Sequence, residues 1–161
     1  MKSLYIMRHA KSSWDEPFNS DLERGLKKRG YEDILLISKE LRKRGVKANL
    51  IISSPAKRAL ITAEIAAAFL RYEIEDIKVD KRLYFEGTNK ILQTIKEVDN
   101  KIDSLIIVGH NPDFTEFINS YSNLTIDNLP TSGVVKLEFK GDWSSFKKGK
   151  SSLFLYPKLL R

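Results

Sequence analysis

The chain has 161 residues, 42% hydrophobic and 30% charged, with a net charge of +7, no cysteine and two histidines. These figures describe one globular domain, residues 1–161, and exclude a disulfide framework, thiolate chemistry and a cysteine-based zinc site. No apolar run approaches the roughly 18 residues that span a bilayer, and the short apolar stretch at the start does not make a signal peptide, so a cytoplasmic protein without a membrane partner is expected.

Leu4 to Met7 read as a buried strand over residues 3–8 that ends directly in Arg8 and His9, groups whose desolvation needs compensation. Residues 24–44 place Leu26, Ile34, Leu35, Ile37, Ser38 and Leu41 at helical spacing before the stop Arg44-Gly45. Residues 49–53 form a second strand. Ser54-Pro55 is a cap-plus-proline pair opening a helix to about Leu70. An extended piece over 77–84 follows, and then Thr88 caps a helix carrying Ile91, Leu92, Ile95 and Val98. SLIIVG, 104–109, is apolar throughout, as a strand covered on both faces should be. Asn111-Pro112 repeats the cap signature and starts a helix through Tyr121. GVVKLEFK and SSLFLYP alternate by twos and predict antiparallel strands. The order predicts a three-layer α/β/α fold with a mainly parallel central sheet, antiparallel at its C-terminal part.

Strand ends in a parallel sheet share one edge, where ligand sites form. Three polar clusters fall there: Arg8-His9-Ala10, Ser53-Ser54-Pro55 with Arg58, and Gly109-His110-Asn111-Pro112. A metal reading fits poorly, because two imidazoles have arginines beside them that repel a cation. Two core histidines satisfied by backbone would leave the arginines unexplained. An anion site accounts for all four residues. Arg8 and Arg58 can fork onto phosphoryl oxygens, and two helix N-termini point the same way. A neutral imidazole is a competent nucleophile near pH 7, so His9 attacks phosphorus while His110, protonated with phosphate bound, stabilises the equatorial oxygens.

The strand followed by RHA, SSPAKRALITAE and VGHNP, in this order, resembles the histidine phosphatase (phosphoglycerate mutase-like) superfamily. The small SixA-type phosphohistidine phosphatases, which lack a cap domain, are the nearest branch. SDLERGLKKRG and LPTSGVVKLEF extend the likeness to nearly the whole chain, with Gly25 where the family usually has proline. The resemblance implies His9 as the phosphorylated nucleophile and Arg8, Arg58 and His110 as the rest of the phosphate pocket. It also implies substrate contacts from Asn111, Asp21 and Arg24. Glu86, in RLYFEG, stands near the place where larger members carry an acid and is the candidate proton donor; Asp21 is an alternative, though it is expected rather to pair with a nearby base.

A phosphoimidazole leaves at a pKa of about 6.5 and a phenolate near 10, whereas an alkyl phosphate needs a general acid. The expected activity is hydrolysis of a phosphomonoester or phosphoramidate, foremost phosphohistidine on a protein, through a covalent intermediate on His9. The alternative is a phosphate-binding or mutase-like protein on the same fold. No cofactor and no nucleic-acid partner are expected; the partner is a phosphorylated protein or small phosphorylated substrate, and the chain a monomer or weak homodimer. Thr62 is expected to orient nothing catalytic, Trp14 to line the entrance or cover the sheet edge, and Thr131-Ser132 to be a turn.

Overall fold

The computed structural model describes residues 1–14 and 20–161. Its six strands are β1 (Lys2–Arg8), β2 (Leu50–Ser53), β3 (Lys78–Val79), β4 (Ser104–Gly109), β5 (Val134–Phe139) and β6 (Lys150–Leu155). They form one sheet in the order β3-β2-β4-β1-β5-β6. The first four are mutually parallel, while β5 runs antiparallel to β1 and β6 antiparallel to β5.

Four helices cover the sheet: α1 (Lys28–Lys43), α2 (Lys57–Phe69), α3 (Thr88–Lys96) and α4 (Asp113–Tyr121). Period-two alternation sorts the strand residues between the layers. Tyr5, Met7, Ile51, Ile106 and Val108 face one way, onto Ile34, Ile37 and Leu41 of α1 and the alanines of α2. Leu4, Ile6, Ile52, Leu105 and Ile107 face the other way, onto Ile91 and Ile95 of α3 and Phe114 and Phe117 of α4. Each fully buried large side chain contributes about 1.5–3 kcal/mol. The stripe Ala59, Ala63, Ala66 and Ala67 lets α2 lie close to the sheet, bringing its first turn to the strand ends. No inserted cap lies among the described residues, and no described helix is long and apolar enough to cross a membrane.

Four local expectations are corrected. The first helix starts at Lys28, because residues 24–27 pair instead with the loop after β1. Ser12 bridges Leu26, Ser13 N–H donates to Gly25 C=O at 2.8 Å, and Lys27 N–H donates to Lys11 C=O at 3.1 Å. Gly30 permits this approach, since a Cβ there would sit 2.2 Å from the Lys11 carbonyl oxygen. The second helix starts at Lys57, with Ala56 rather than Ser54 in the cap position. Only Lys78–Val79 of the 77–84 stretch is strand; Lys81–Leu83 is a 3-10 turn capped by Asp80, which accepts from Arg82 N–H at 2.9 Å. Thr88 is the first residue of α3, and Gly87, at φ 91°, stands before it.

Candidate active site

Register alone brings the two histidines together. Arg8 pairs with Gly109 across β1 and β4, so His9 and His110 leave adjacent strands at the same level. Their ring centroids are 5.1 Å apart. Gly109 is required at this crossing, because a Cβ would meet the Phe114 ring at 2.6 Å.

His9 is buried, and its Nδ1 lies 2.7 Å from the Ala10 carbonyl. A carbonyl can only accept, so Nδ1 carries the proton and the lone pair is left on Nε2. Burial, followed by the charges of Arg58, Arg8 and Arg24, pushes the ring's pKa down to about 3, against the Ala10 hydrogen bond that favours the protonated form. The ring is neutral at pH 7.

His110 lies deeper, its Nε2 2.7 Å from Ser54 Oγ and its Nδ1 3.4 Å from Arg58 Nη2. Guanidinium can only donate, so Nδ1 accepts, and Nε2–H donates to the serine. Ser54 Oγ also accepts from Ala56 N–H at 3.1 Å, which explains why the helix after it starts late. Burial, then His9 and Arg58, push the His110 pKa down to about 2. In this structure the ring is neutral at pH 7.

Arg58, on the first turn of α2, is 1% exposed. It donates from Nη1 to the Asp21 carbonyl at 2.8 Å and from Nη2 to Asp21 Oδ2 at 2.9 Å. Arg24 Nε donates to Oδ1 of the same carboxylate at 3.1 Å, and Tyr84 O–H to Oδ2 at 2.6 Å. Burial alone would raise the Asp21 pKa, but the Tyr84, Arg58 and Arg24 contacts outweigh it and hold it at about 2. Asp21 is thus a carboxylate that orders three donors. Arg24 also donates to Ser12 Oγ at 3.0 Å and lies 3.4 Å over the Trp14 ring.

Arg8 donates from Nη1 to the Leu129 carbonyl at 3.0 Å, and burial lowers its pKa. Nε of Arg8 and Nε of Arg58 are buried donors with no partner among the described residues. His9, both these arginines, Asp21, Arg24 and Asn111 share the wall of a cavity of about 320 Å³. Lys11, Ser12, Trp14, Lys27, Phe85 and Thr131 are the other described residues of the wall.

Two expectations change here. Asn111 lines the cavity, but its amide is engaged, Nδ2 with Asn128 Oδ1 and the Leu129 carbonyl and Oδ1 with Thr115. Glu86 is exposed and is not part of the cavity wall.

Two residues at the site, Tyr84 and Phe85, escaped sequence reasoning, and a third, Thr62, was expected to orient nothing catalytic. Thr62 is fully buried, donates to the Arg58 carbonyl at 2.7 Å and accepts from Ala10 N–H at 2.9 Å, so it ties α2 to the residue after His9. Tyr84 supports Asp21. Phe85 covers His110 at 4.6 Å between centroids, with φ 57°, a conformation that costs a bulky residue about 1–2 kcal/mol. The i, i+4 pair Arg58/Thr62 was a readable signal for Thr62, as hydroxyls at this spacing bond back to the previous turn.

The sequence model of the histidine phosphatase superfamily (branch 1) matches residues 4–84. An uncharacterized protein of Mycobacterium tuberculosis is 26% identical over 159 residues, covering 91% of this chain and 96% of its own. Among solved structures, a protein histidine phosphatase SixA complexed with tungstate superposes with a TM-score of 0.86 at 21% identity, covering 99% of each chain. A putative phosphohistidine phosphatase SixA from Agrobacterium tumefaciens gives 0.81 at 25% identity, over 97% of this chain and 98% of its own. The chain belongs to the histidine phosphatase superfamily, branch 1, and is a phosphatase with the SixA-type fold.

Proposed function

We propose that this phosphatase removes the phosphoryl group from phosphohistidine on a protein, by way of a phosphoryl-enzyme on His9. The reading is carried by the His9–Ala10 hydrogen bond, which fixes the tautomer with its lone pair on Nε2 in a wall shared with Arg8 and Arg58. Nε2 attacks phosphorus, the bond from phosphorus to the substrate nitrogen breaks, and its electron pair stays on that nitrogen. A substrate ring protonated on its other nitrogen departs as neutral imidazole. His9 carries the positive charge until water attacks; the P–Nε2 pair then returns to the ring and dihydrogen phosphate leaves with both hydrogens of the water.

Arg8 and Arg58 take the phosphoryl oxygens through charge-assisted bonds, for which their unpartnered Nε–H groups are suited. Burial and the neighbouring cations keep His110 neutral, and the bound dianion opposes both by favouring a positive ring. The ring then takes a proton from solvent on Nδ1, Arg58 Nη2 turns to phosphate, and the pair stabilises the equatorial oxygens.

The substrate class follows from the acids. Asp21 is the one carboxylate among the described residues of the cavity wall, and with its pKa held at about 2 it has no proton to give at neutral pH. Leaving groups that need no acid are therefore favoured. An edge with no cap among the described residues, flanked by the exposed Lys11 and Lys27, suits a phosphorylated protein surface. Steady-state comparison of a phosphohistidine peptide with a sugar phosphate tests this: the peptide should have the higher kcat/KM, and faster turnover of the alkyl ester would overturn the assignment.

A further inference from the structure

We propose that Phe85 is a specificity-determining residue, a stacking platform that selects phosphoryl groups carried on planar aromatic rings. This rests on the reading above and adds what the cavity recognises beside phosphate. Phe85 is 48% exposed, whereas Phe114, Phe117 and Phe146 are each buried to 1% or less. An exposed apolar ring in the wall of a polar cavity offers surface to a ligand.

Its backbone points the same way. Phe85 takes φ 57°, a region that bulky residues avoid, although Gly87 stands two positions on. Such a conformation persists where the surroundings over-determine it, commonly at binding sites. Here the ring is held by His110 at 4.6 Å with a 36° tilt and by Tyr84 at 4.8 Å, edge on. It cannot swing out without uncovering a buried imidazole. Phe85 and His9 also line the same cavity, so a ring carried on phosphorus at His9 is bound in the space that Phe85 borders. Trp14, lying on Arg24, forms another aromatic part of the same wall.

The experiment measures inhibition by phenylphosphonate and methylphosphonate, which share the anion and cannot be hydrolysed, together with kcat/KM for phenyl phosphate and acetyl phosphate. Phe85→Leu keeps an apolar cover over His110 without the π face. It should lower the phenyl-over-methyl preference, and the phenyl-over-acetyl ratio, by about 3- to 10-fold, chiefly through Ki and KM. Phe85→Tyr should keep both ratios, and it serves as the readout if the leucine variant is poorly folded. If Phe85→Leu shifts the ring-bearing and ringless ligands equally, or Phe85→Tyr loses the preference, the platform is refuted. A wild-type enzyme inert to phosphohistidine, yet showing a phenyl preference that Phe85→Leu removes, would overturn the substrate reading and support the platform.

Discussion

Arg58 gives both terminal nitrogens to Asp21, one to its backbone and one to its carboxylate, so a loop residue fixes the direction of a buried guanidinium on α2. Arg24 and Tyr84 hold the same carboxylate from other sides. Asp21→Ala removes the side-chain anchor and leaves the guanidinium on the Asp21 backbone bond and the long contact with His110 Nδ1. Orthovanadate inhibition should weaken by about 10-fold, the equivalent of about 1.4 kcal/mol. The melting temperature should fall by less than loss of a fully buried pair would cause, since the Asp21 side chain is 41% exposed. Tighter vanadate binding in the variant would show that Asp21 competes with phosphate instead of positioning Arg58.

Thr62 is the second positioning residue. Thr62→Val preserves shape but strands the buried Ala10 N–H, at a cost of about 1–3 kcal/mol. Because Ala10 also accepts from His9 Nδ1, kcat should drop severalfold more than thermal stability alone explains. Thr62→Ser, which keeps the hydroxyl, should restore most of it. Equal losses in both variants would point to packing.

The histidines make stability pH-dependent, and the sign follows from their lowered pKa values. In the unfolded chain each takes a proton near pH 6.5. In the folded protein His9 waits until about 3 and His110 until about 2. The unfolded state binds more protons across that interval, so stability falls as pH drops below about 6.5 toward 3. Asp21, lowered to about 2 from an unfolded value near 3.9, loses its contribution as pH falls through the end of the same range. Denaturant midpoints between about pH 7 and 4 should decline, with a shallower slope in His9→Asn. The same neutral ring means that kcat/KM, corrected for substrate ionisation, should show no acid limb near 6.5.

Gly30→Ala tests the strap beneath the site. The new methyl would meet the Lys11 carbonyl at 2.2 Å, forcing the loop after His9 to shift. Activity should fall even though alanine has the higher helix propensity, by about 1 kcal/mol. An active, stabilised variant would mean that this loop yields without effect on the cavity.

The central strands, and the meeting of Arg8, His9, Arg58 and His110 at one sheet edge, were legible because their signals are local. Apolar runs end abruptly in Arg8-His9 and Gly109-His110, and parallel topology does the rest. What stayed hidden depends on long-range contacts. Leu26 fits a helical stripe, yet residues 24–27 are captured by the loop after β1, whose hydrogen bonds no periodicity encodes. Ser54 reads as a cap because capping is what a serine before proline commonly does; its hydroxyl accepts from Ala56 N–H and also from His110, 56 positions away. In RLYFEG the acid draws attention, but the 3-10 turn and the left-handed Phe85 send Tyr84 and Phe85 to the site and leave Glu86 in solvent.

The most direct test of the chemistry is rapid quenching in base after mixing enzyme with a ³²P-labelled aryl phosphate or phosphoramidate. Wild type should carry base-stable, acid-labile phosphate that maps to His9, while His9→Ala carries none and turns over about 1000-fold more slowly or worse. Undiminished turnover by His9→Ala, or label on another residue, would contradict the proposal that this imidazole takes up the phosphoryl group.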